Sequence, residues 1–257
     1  MEARRRLLLF CVALVLGACR SPAPGSVELT VFAAASLQDA LEELTSRYEA
    51  AHPNVRVVAS FAGSNALARQ LASAPGADVF FSADEAWMDF LDEKHLLTPG
   101  TRRALLTGQL VVVARNDGAA RVKAPADLTG ASYDQLILAD PDAVPAGRYA
   151  KAWLEREGLW AGVKERVVPA LDVRAALAAV AADPRRVGIV YASDLRANAR
   201  LRALYVVPAS SGPAIRYPIA LIAGRPNPTE ARALLEYLES GEAAAVYRAH
   251  GFGMLEK

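Results

Sequence analysis

The feature that most constrains this chain is a regular alternation between strand-like and helix-like segments. Runs rich in β-branched residues at 27–32 and 55–61 favour strands. Each is followed by a segment, 37–50 and 64–73, with apolar residues at helical spacing. This alternation predicts an α/β fold with mostly parallel sheets. It continues through the predicted strands 78–81, 109–114, 136–139, 166–169, 187–191, 205–207 and 217–223 and the predicted helices 86–93, 147–157, 173–182, 228–240 and 242–250.

Composition and charge exclude several classes of protein. The 257 residues suffice for one large or two small domains, and 53% apolar residues provide for a packed core. A formal net charge of +1, with no basic run in the body of the chain, argues against a nucleic-acid partner. Two cysteines and three scattered histidines exclude a disulfide framework and a zinc ribbon. The chain lacks Gly-x-Ser-x-Gly, and we expect neither enzyme activity nor a cofactor.

The N-terminal segment predicts export from the cytoplasm. Three arginines at 4–6 precede an apolar run at 7–16, which is too short to span a bilayer and is typical of a secretory signal peptide at 1–18. Residues 16–19 resemble a bacterial lipobox, in which Cys19 is acylated; an ordinary signal peptide that contains a cysteine is the alternative. Residues 19–26 predict a tether. We therefore expect a soluble body in the periplasm or at the outer face of the cytoplasmic membrane, held there by lipid alone.

The segments that join strands to helices carry the most functional information. Those at 32–36, 61–65, 140–147 and 171–174 are small or expose their backbone. They follow the carboxyl ends of predicted strands, where α/β sheets bind ligands. A helix start offers unpaired N–H groups and a partial positive charge, so several starts aimed at one point can bind an anion without lysine or arginine.

Taken one at a time, these positions also have purely structural interpretations. Ser36 and Ser64 have the residue type and position of N-caps that satisfy their own helices. Ala146 and Val173 have no functional side chain and are compatible with simple packing. Tyr191, at the end of a predicted strand, is compatible with a core tyrosine whose hydroxyl is satisfied. Only the set as a whole, taken together with the resemblance described next, favours a binding site.

Seven segments, in order, resemble the periplasmic molybdate-binding proteins of ABC-type uptake systems. The resemblance covers the mature chain, and its motifs are specific as a set although modest singly. One position departs from it, because Gly63 stands where relatives often carry serine, which leaves selectivity open. The matching segments are 32–37, 61–70, 76–84, 87–89, 140–150, 172–177 and 188–194.

The resemblance implies a site and its partners. An oxyanion would accept hydrogen bonds from the hydroxyls of Ser36, Ser64 and Tyr191 and from the backbone N–H groups of Ala146 and Val173. The ligand implied is molybdate, with tungstate bound similarly, and the implied partner is an ABC permease in the membrane. The resemblance implies no protein ligand to the metal itself, and we expect a monomer.

The resemblance also implies the architecture. It is a type II periplasmic-binding fold, in which two α/β lobes are joined by two crossing strands and the ligand binds in the cleft between them. The expected crossings are 109–114 and 217–223. They divide the chain into lobe I, residues 27–108 plus 220–257, and lobe II, residues 109–219. Closure of the two lobes around the anion would then couple shape to binding.

Other cargoes for the same fold remain alternatives. The principal one is another tetrahedral oxyanion, such as sulfate or phosphate. An amino-acid receptor needs an arginine and an aspartate, and Arg174 and Asp172 flank Val173, but charges at a helix start on the lobe surface are the favoured interpretation. For Asp78 and Asp84 we expect structural roles at a strand end and a helix cap rather than metal binding.

Overall fold

The computed structural model describes residues 26–255, so the predicted signal peptide, the Cys19 anchor and nearly all of the tether lie outside the described residues. Within this range strands and helices mostly alternate, as predicted. The strands are β1 (Val27–Ala34), β2 (Val55–Ala62), β3 (Val79–Phe81), β4 (Arg103–Gly108), β5 (Leu110–Arg115), β6 (Gln135–Ala139), β7 (Val167–Ala170), β8 (Arg186–Tyr191), β9 (Leu201–Val206), β10 (Ile215–Leu221) and β11 (Gly253–Met254). The α-helices are α1 (Gln38–Ala51), α2 (Ser64–Ser73), α3 (Glu85–Asp92), α4 (Pro145–Arg156), α5 (Trp160–Val163), α6 (Val173–Ala182), α7 (Ala192–Leu195), α8 (Pro228–Leu238) and α9 (Gly241–Ala249).

The strands form two sheets. The first has six strands in the order β11-β4-β10-β3-β1-β2, and the second has five in the order β7-β6-β8-β5-β9. The expectation of mostly parallel sheets is wrong, since four of the nine described strand pairings are parallel and five are antiparallel. The physical reason is that β4, β5, β9 and β10 carry the chain between the sheets and run against their neighbours.

The chain crosses between the sheets twice, once at residue 109 and once between β9 and β10. We call the first sheet with its helices the first lobe, residues 26–108 and 215–255, and the second sheet with its helices the second lobe, residues 109–214. The return crossing precedes Ile215, before the expected boundary at 219, because Ile215–Leu221 pairs along its length with β3 and β4. The sequence pattern also missed β4, whose segment has a single β-branched residue, Thr107.

Apolar side chains of strands and helices form the buried core of each lobe. The centre of β5, Val111–Val113, is almost completely buried, as expected for its unbroken apolar run. In the first lobe, Leu41, Leu44 and Tyr48 lie on the buried face of α1. Among residues 26–255, no helix combines the length and apolar character that a bilayer crossing requires.

Candidate functional site

The five residues singled out in the sequence line one cavity between the lobes. Each of the five is at most 4% exposed. The other lining residues are small or apolar except for one aspartate, and no lysine or arginine is among them. The lining residues are Ala34, Ala35, Ser36, Ala62, Gly63, Ser64, Ala83, Val144, Pro145, Ala146, Asp172, Val173 and Tyr191.

Strand register places the two serines side by side. In the parallel pair β1 and β2, Ala34 is opposite Ala62, so both strands end at the same level. Ser36 and Ser64 each follow two residues later. Because the carboxyl ends of parallel strands share one sheet edge, both hydroxyls reach the cleft from the first lobe.

Ser36 does not act as a helix cap. It lies in a 3-10 turn, Ala35–Leu37, and neither this turn nor α1 has a side-chain cap. Its Oγ lies 3.3 Å from Tyr217 Oη, in a buried contact in which either hydroxyl can be the donor. When the Tyr217 hydroxyl donates, the Ser36 proton is free to point into the cavity.

The backbone N–H of Ala83, in the connection between β3 and α3, orients the Ser64 hydroxyl. Ser64 is the first residue of α2, and no side chain caps that helix. The N–H of Ala83 donates to Ser64 Oγ over 3.0 Å. With a lone pair of its oxygen engaged in this way, the Ser64 hydroxyl keeps its own proton for a ligand.

The start of α4 presents a backbone donor from the second lobe. Pro145 occupies the first helical turn and has no N–H, so Ala146 carries the first free amide. That amide donates to no backbone carbonyl among residues 26–255. The next residue must be glycine, because a Cβ on Gly147 would overlap the carbonyl oxygen of Ala139. The helix start therefore sits directly on the end of β6.

The start of α6 presents a second amide in the same way. Asp172 is the N-cap, and its side chain accepts a hydrogen bond from Ala175 N at 2.8 Å. The Val173 N–H donates to no backbone carbonyl in the described part of the chain. Asp172 thus has the helix-start role expected for it, and the unpaired amide belongs to Val173, a residue that lines the cavity.

Tyr191, the last residue of β8, is 1% exposed, yet its hydroxyl has no hydrogen-bond partner among the described residues. Burial raises the pKa of this phenol well above its ordinary value, with smaller contributions from nearby Tyr217 and Tyr149. The hydroxyl therefore stays protonated at neutral pH and can donate. An unpaired buried hydroxyl costs stability unless something else accepts its hydrogen bond.

Apart from Asp172, the charged side chains near the cavity lie outside its lining. Arg148 of α4 donates to Asp84 at 2.9 Å, which joins the second lobe to the first. Burial raises the pKa of Asp84, while the Trp87 N–H and Arg148 act in the opposite direction. Asp84 caps α3 through Trp87 N at 3.1 Å, the role expected for it, and no cluster of possible metal-ligating side chains occurs within 26–255.

The lobes also meet at two further places across the cleft. The indole Nε1 of Trp87 donates to the carbonyl of Ala143 in the opposite lobe at 3.0 Å. At Gly63 the lobes approach closely, since a Cβ there would lie 3.2 Å from the carbonyl oxygen of Leu171. The position that departs from the family resemblance is therefore one where the lobes nearly touch.

Sequence reasoning missed the groups that orient the candidate donors. The sequence pattern places Tyr217 in a strand, indicates no site role for Tyr217 or Ala83, and does not indicate the pairing of Asp84 with Arg148. No local signal marks these partners, because each lies at least 19 residues away in sequence from the group that it contacts. The one signal in the sequence is the position of Tyr217, a polar aromatic residue, at the start of a predicted crossing strand.

A two-sheet α/β fold with a buried, donor-lined cleft at facing strand ends defines a solute-binding protein of the two-lobed class. The comparisons agree. The model of the family described as bacterial extracellular solute-binding protein matches residues 29–253. The molybdate-binding protein ModA of Escherichia coli K12 is 36% identical over 255 residues, which cover 97% of this chain and 98% of that protein. The chain therefore belongs to the bacterial extracellular solute-binding protein family.

Solved structures show the same fold. The periplasmic molybdate-binding protein of Azotobacter vinelandii superposes with a TM-score of 0.79 at 22% identity, covering 89% of this chain and 100% of that one. The sulfate-binding protein SubI of Mycobacterium tuberculosis superposes with a TM-score of 0.75 at 16% identity, covering 88% of this chain and 86% of that one. At these identities the likeness concerns the fold alone, and it extends to receptors of different oxyanions.

Proposed function

We propose that this protein captures molybdate outside the cytoplasm and delivers it to an ABC permease, binding tungstate in the same way. The observation that carries the proposal is that five residues from five separate strand ends, each with a candidate donor, line one cavity that has no cationic side chain. The near full-length similarity to a molybdate-binding protein supports the choice of ligand.

In this proposal the ligand accepts five hydrogen bonds, from Ser36, Ser64, Ala146, Val173 and Tyr191. Burial of a dianion is costly unless fixed donors replace its hydration, and charge-assisted hydrogen bonds are the stronger kind. The backbone N–H groups of Ala146 and Val173 can only donate, so they disfavour an oxyanion that carries a proton wherever its hydroxyl would meet one of them. Each mispaired buried group costs about 1–3 kcal/mol, which corresponds to roughly tenfold to hundredfold discrimination.

The candidate donors are divided between the two lobes, so opening of the cleft would release the anion. Two of the donors belong to the first lobe and three to the second, so the anion is fully coordinated only when the cleft is closed. A ligand that contacts both lobes favours the closed form by its differential affinity. We infer that the permease distinguishes the loaded receptor by this closed shape.

Isothermal titration calorimetry with molybdate, tungstate, sulfate and phosphate tests the assignment. We expect a 1:1 complex with molybdate and with tungstate of similar affinity, since the two anions share charge and geometry, and much weaker heats from sulfate and phosphate. Ligand should also raise the free energy of unfolding by RT ln(1 + [L]/Kd), and the unfolding temperature should rise with it. Equal affinities for sulfate and molybdate would overturn the assigned specificity.

We also propose that Cys19 carries a lipid that holds the protein at the membrane. The support is the Leu16-Gly17-Ala18-Cys19 segment behind a basic and apolar leader. Fractionation of cells that express the wild type and a Cys19→Ser variant tests this. Recovery of the wild type in the soluble extracytoplasmic fraction would contradict the anchor.

A further inference from the structure

Arg174 bridges two aspartate side chains that belong to different lobes. Its Nη2 donates to Asp39 of the first lobe at 2.9 Å, and its Nε lies 3.1 Å from Asp194 Oδ1 of the second lobe. The Arg174 side chain is 20% exposed and that of Asp194 is completely buried. This is more than the helix-start surface charge that the sequence suggested for Arg174.

Each member of the bridge is close in sequence to a group that we assign to the anion. Arg174 follows Val173, Asp194 comes three residues after Tyr191, and Asp39 comes three residues after Ser36. Helix α6 also contacts the 3-10 turn that contains Ser36. The bridge therefore ties the second lobe's part of the site to the first lobe immediately beside the cavity.

The two halves of the bridge have different consequences for motion between the lobes. Asp194 and Arg174 move together within the second lobe, so their contact is retained when the cleft opens. Asp194 holds the guanidinium in place, which reduces the side-chain entropy lost when Asp39 arrives. Of these two contacts, only the one between Arg174 and Asp39 must break when the cleft opens. Arg174 does not line the cavity, so this ion pair acts without placing a cation against the ligand.

We propose that Arg174, held by Asp194, is a positioning residue that stabilises the closed cleft through Asp39 and thereby slows release of the bound anion. The inference rests on the proposed function, because it assigns a role to residues around that site. It predicts a change in the dissociation rate rather than in the association rate, since the contact forms after the anion has entered.

Stopped-flow fluorescence with molybdate tests the proposal in the wild type, Asp39→Asn and Asp134→Asn. The control is matched, since Asp134 also pairs with an arginine at 2.9 Å, but within the second lobe. We expect Asp39→Asn to raise the dissociation rate by about five- to twentyfold, with the association rate within roughly twofold of wild type. Asp134→Asn should change neither rate.

Thermal unfolding without ligand separates this role from a purely structural one. We expect Asp39→Asn to unfold at the wild-type temperature, because the contact with Arg174 is already broken when the unliganded cleft is open and the half-exposed Asp39 side chain has no other described hydrogen bond. In the double variant Asp39→Asn/Arg174→Met, the dissociation rate should match that of Arg174→Met alone. Equal dissociation rates in wild type and Asp39→Asn, or loss of unliganded stability without a rate change, would overturn the inference. If the wild type itself fails to bind molybdate, the proposed function fails instead.

Discussion

Ser36 Oγ lies 3.3 Å from Tyr217 Oη, although the two residues are 181 positions apart and lie on different elements of the first lobe. Tyr217 is completely buried, and its ring packs edge-on against those of Tyr191 and Phe252 at centroid distances of 5.7 and 5.4 Å. Burial raises the pKa of Tyr217 well above its ordinary value, so it remains a donor. The sequence pattern places Tyr217 in a strand and indicates nothing more about it. In the structure its hydroxyl orients Ser36, a candidate ligand-binding residue.

Replacement of Tyr217 by phenylalanine should weaken molybdate binding by about three- to tenfold, because Ser36 would lose a donor while the ring packing remains. Calorimetry measures the affinity. Tyr247→Phe is the matched control, since Tyr247 is also buried and its hydroxyl has no partner in the described part of the chain. In a Ser36→Ala background the Tyr217→Phe change should have no further effect, and full additivity of the two changes would contradict the orienting role.

Removal of either serine hydroxyl should weaken binding by about 1–3 kcal/mol through loss of a charge-assisted hydrogen bond. Ser64→Ala should in addition lower the stability of the unliganded protein, because the buried Ala83 N–H would lose its acceptor. Calorimetry and thermal unfolding report the two effects separately. Ser73→Ala, at the far end of the same helix, should change neither quantity. Wild-type affinity in both Ser36→Ala and Ser64→Ala would place the ligand elsewhere.

The buried carboxyl of Asp194 should make stability depend on pH. Burial raises its pKa to about 7, against the opposing effect of Arg174. Because the folded state then holds a proton that the unfolded state has already lost, this group's contribution to the free energy of unfolding falls as pH rises from about 4 to about 7. We therefore expect the stability of the wild type relative to Asp194→Asn to fall by up to about 1.4 kcal/mol per pH unit in that window.

Urea unfolding of both proteins between about pH 5 and about pH 8 measures this difference. Asp117→Asn is the control, because the exposed Asp117 pairs with Arg115, which lowers its pKa and removes its titration from that window. If the free energies of unfolding of the wild type and Asp194→Asn differ by a constant amount across this pH range, Asp194 does not titrate within it and the prediction is wrong.

The amino-acid sequence by itself determined the alternation of strands and helices and the strand ends from which the candidate donors come. These are local properties: helical spacing, β-branched runs, and the free N–H groups at a helix start such as Val173 depend on neighbours within a few residues. Helix α6 is therefore found with the predicted bounds, and α4 starts only two residues before its predicted first residue. The family resemblance then singled out five positions, and the structure places all five on one cavity.

Only the tertiary structure decided how those positions are held and how the lobes meet. The direction of β10 and its pairing along its whole length depend on strands that are distant in the chain, and so do the partners Ser36–Tyr217, Arg148–Asp84 and Arg174–Asp39. A side chain such as that of Arg174 has the same local pattern whether it points into water or across a cleft. Its role follows from which surfaces pack together, because hydrogen bonds between distant segments form only after the two sheets have brought them within reach.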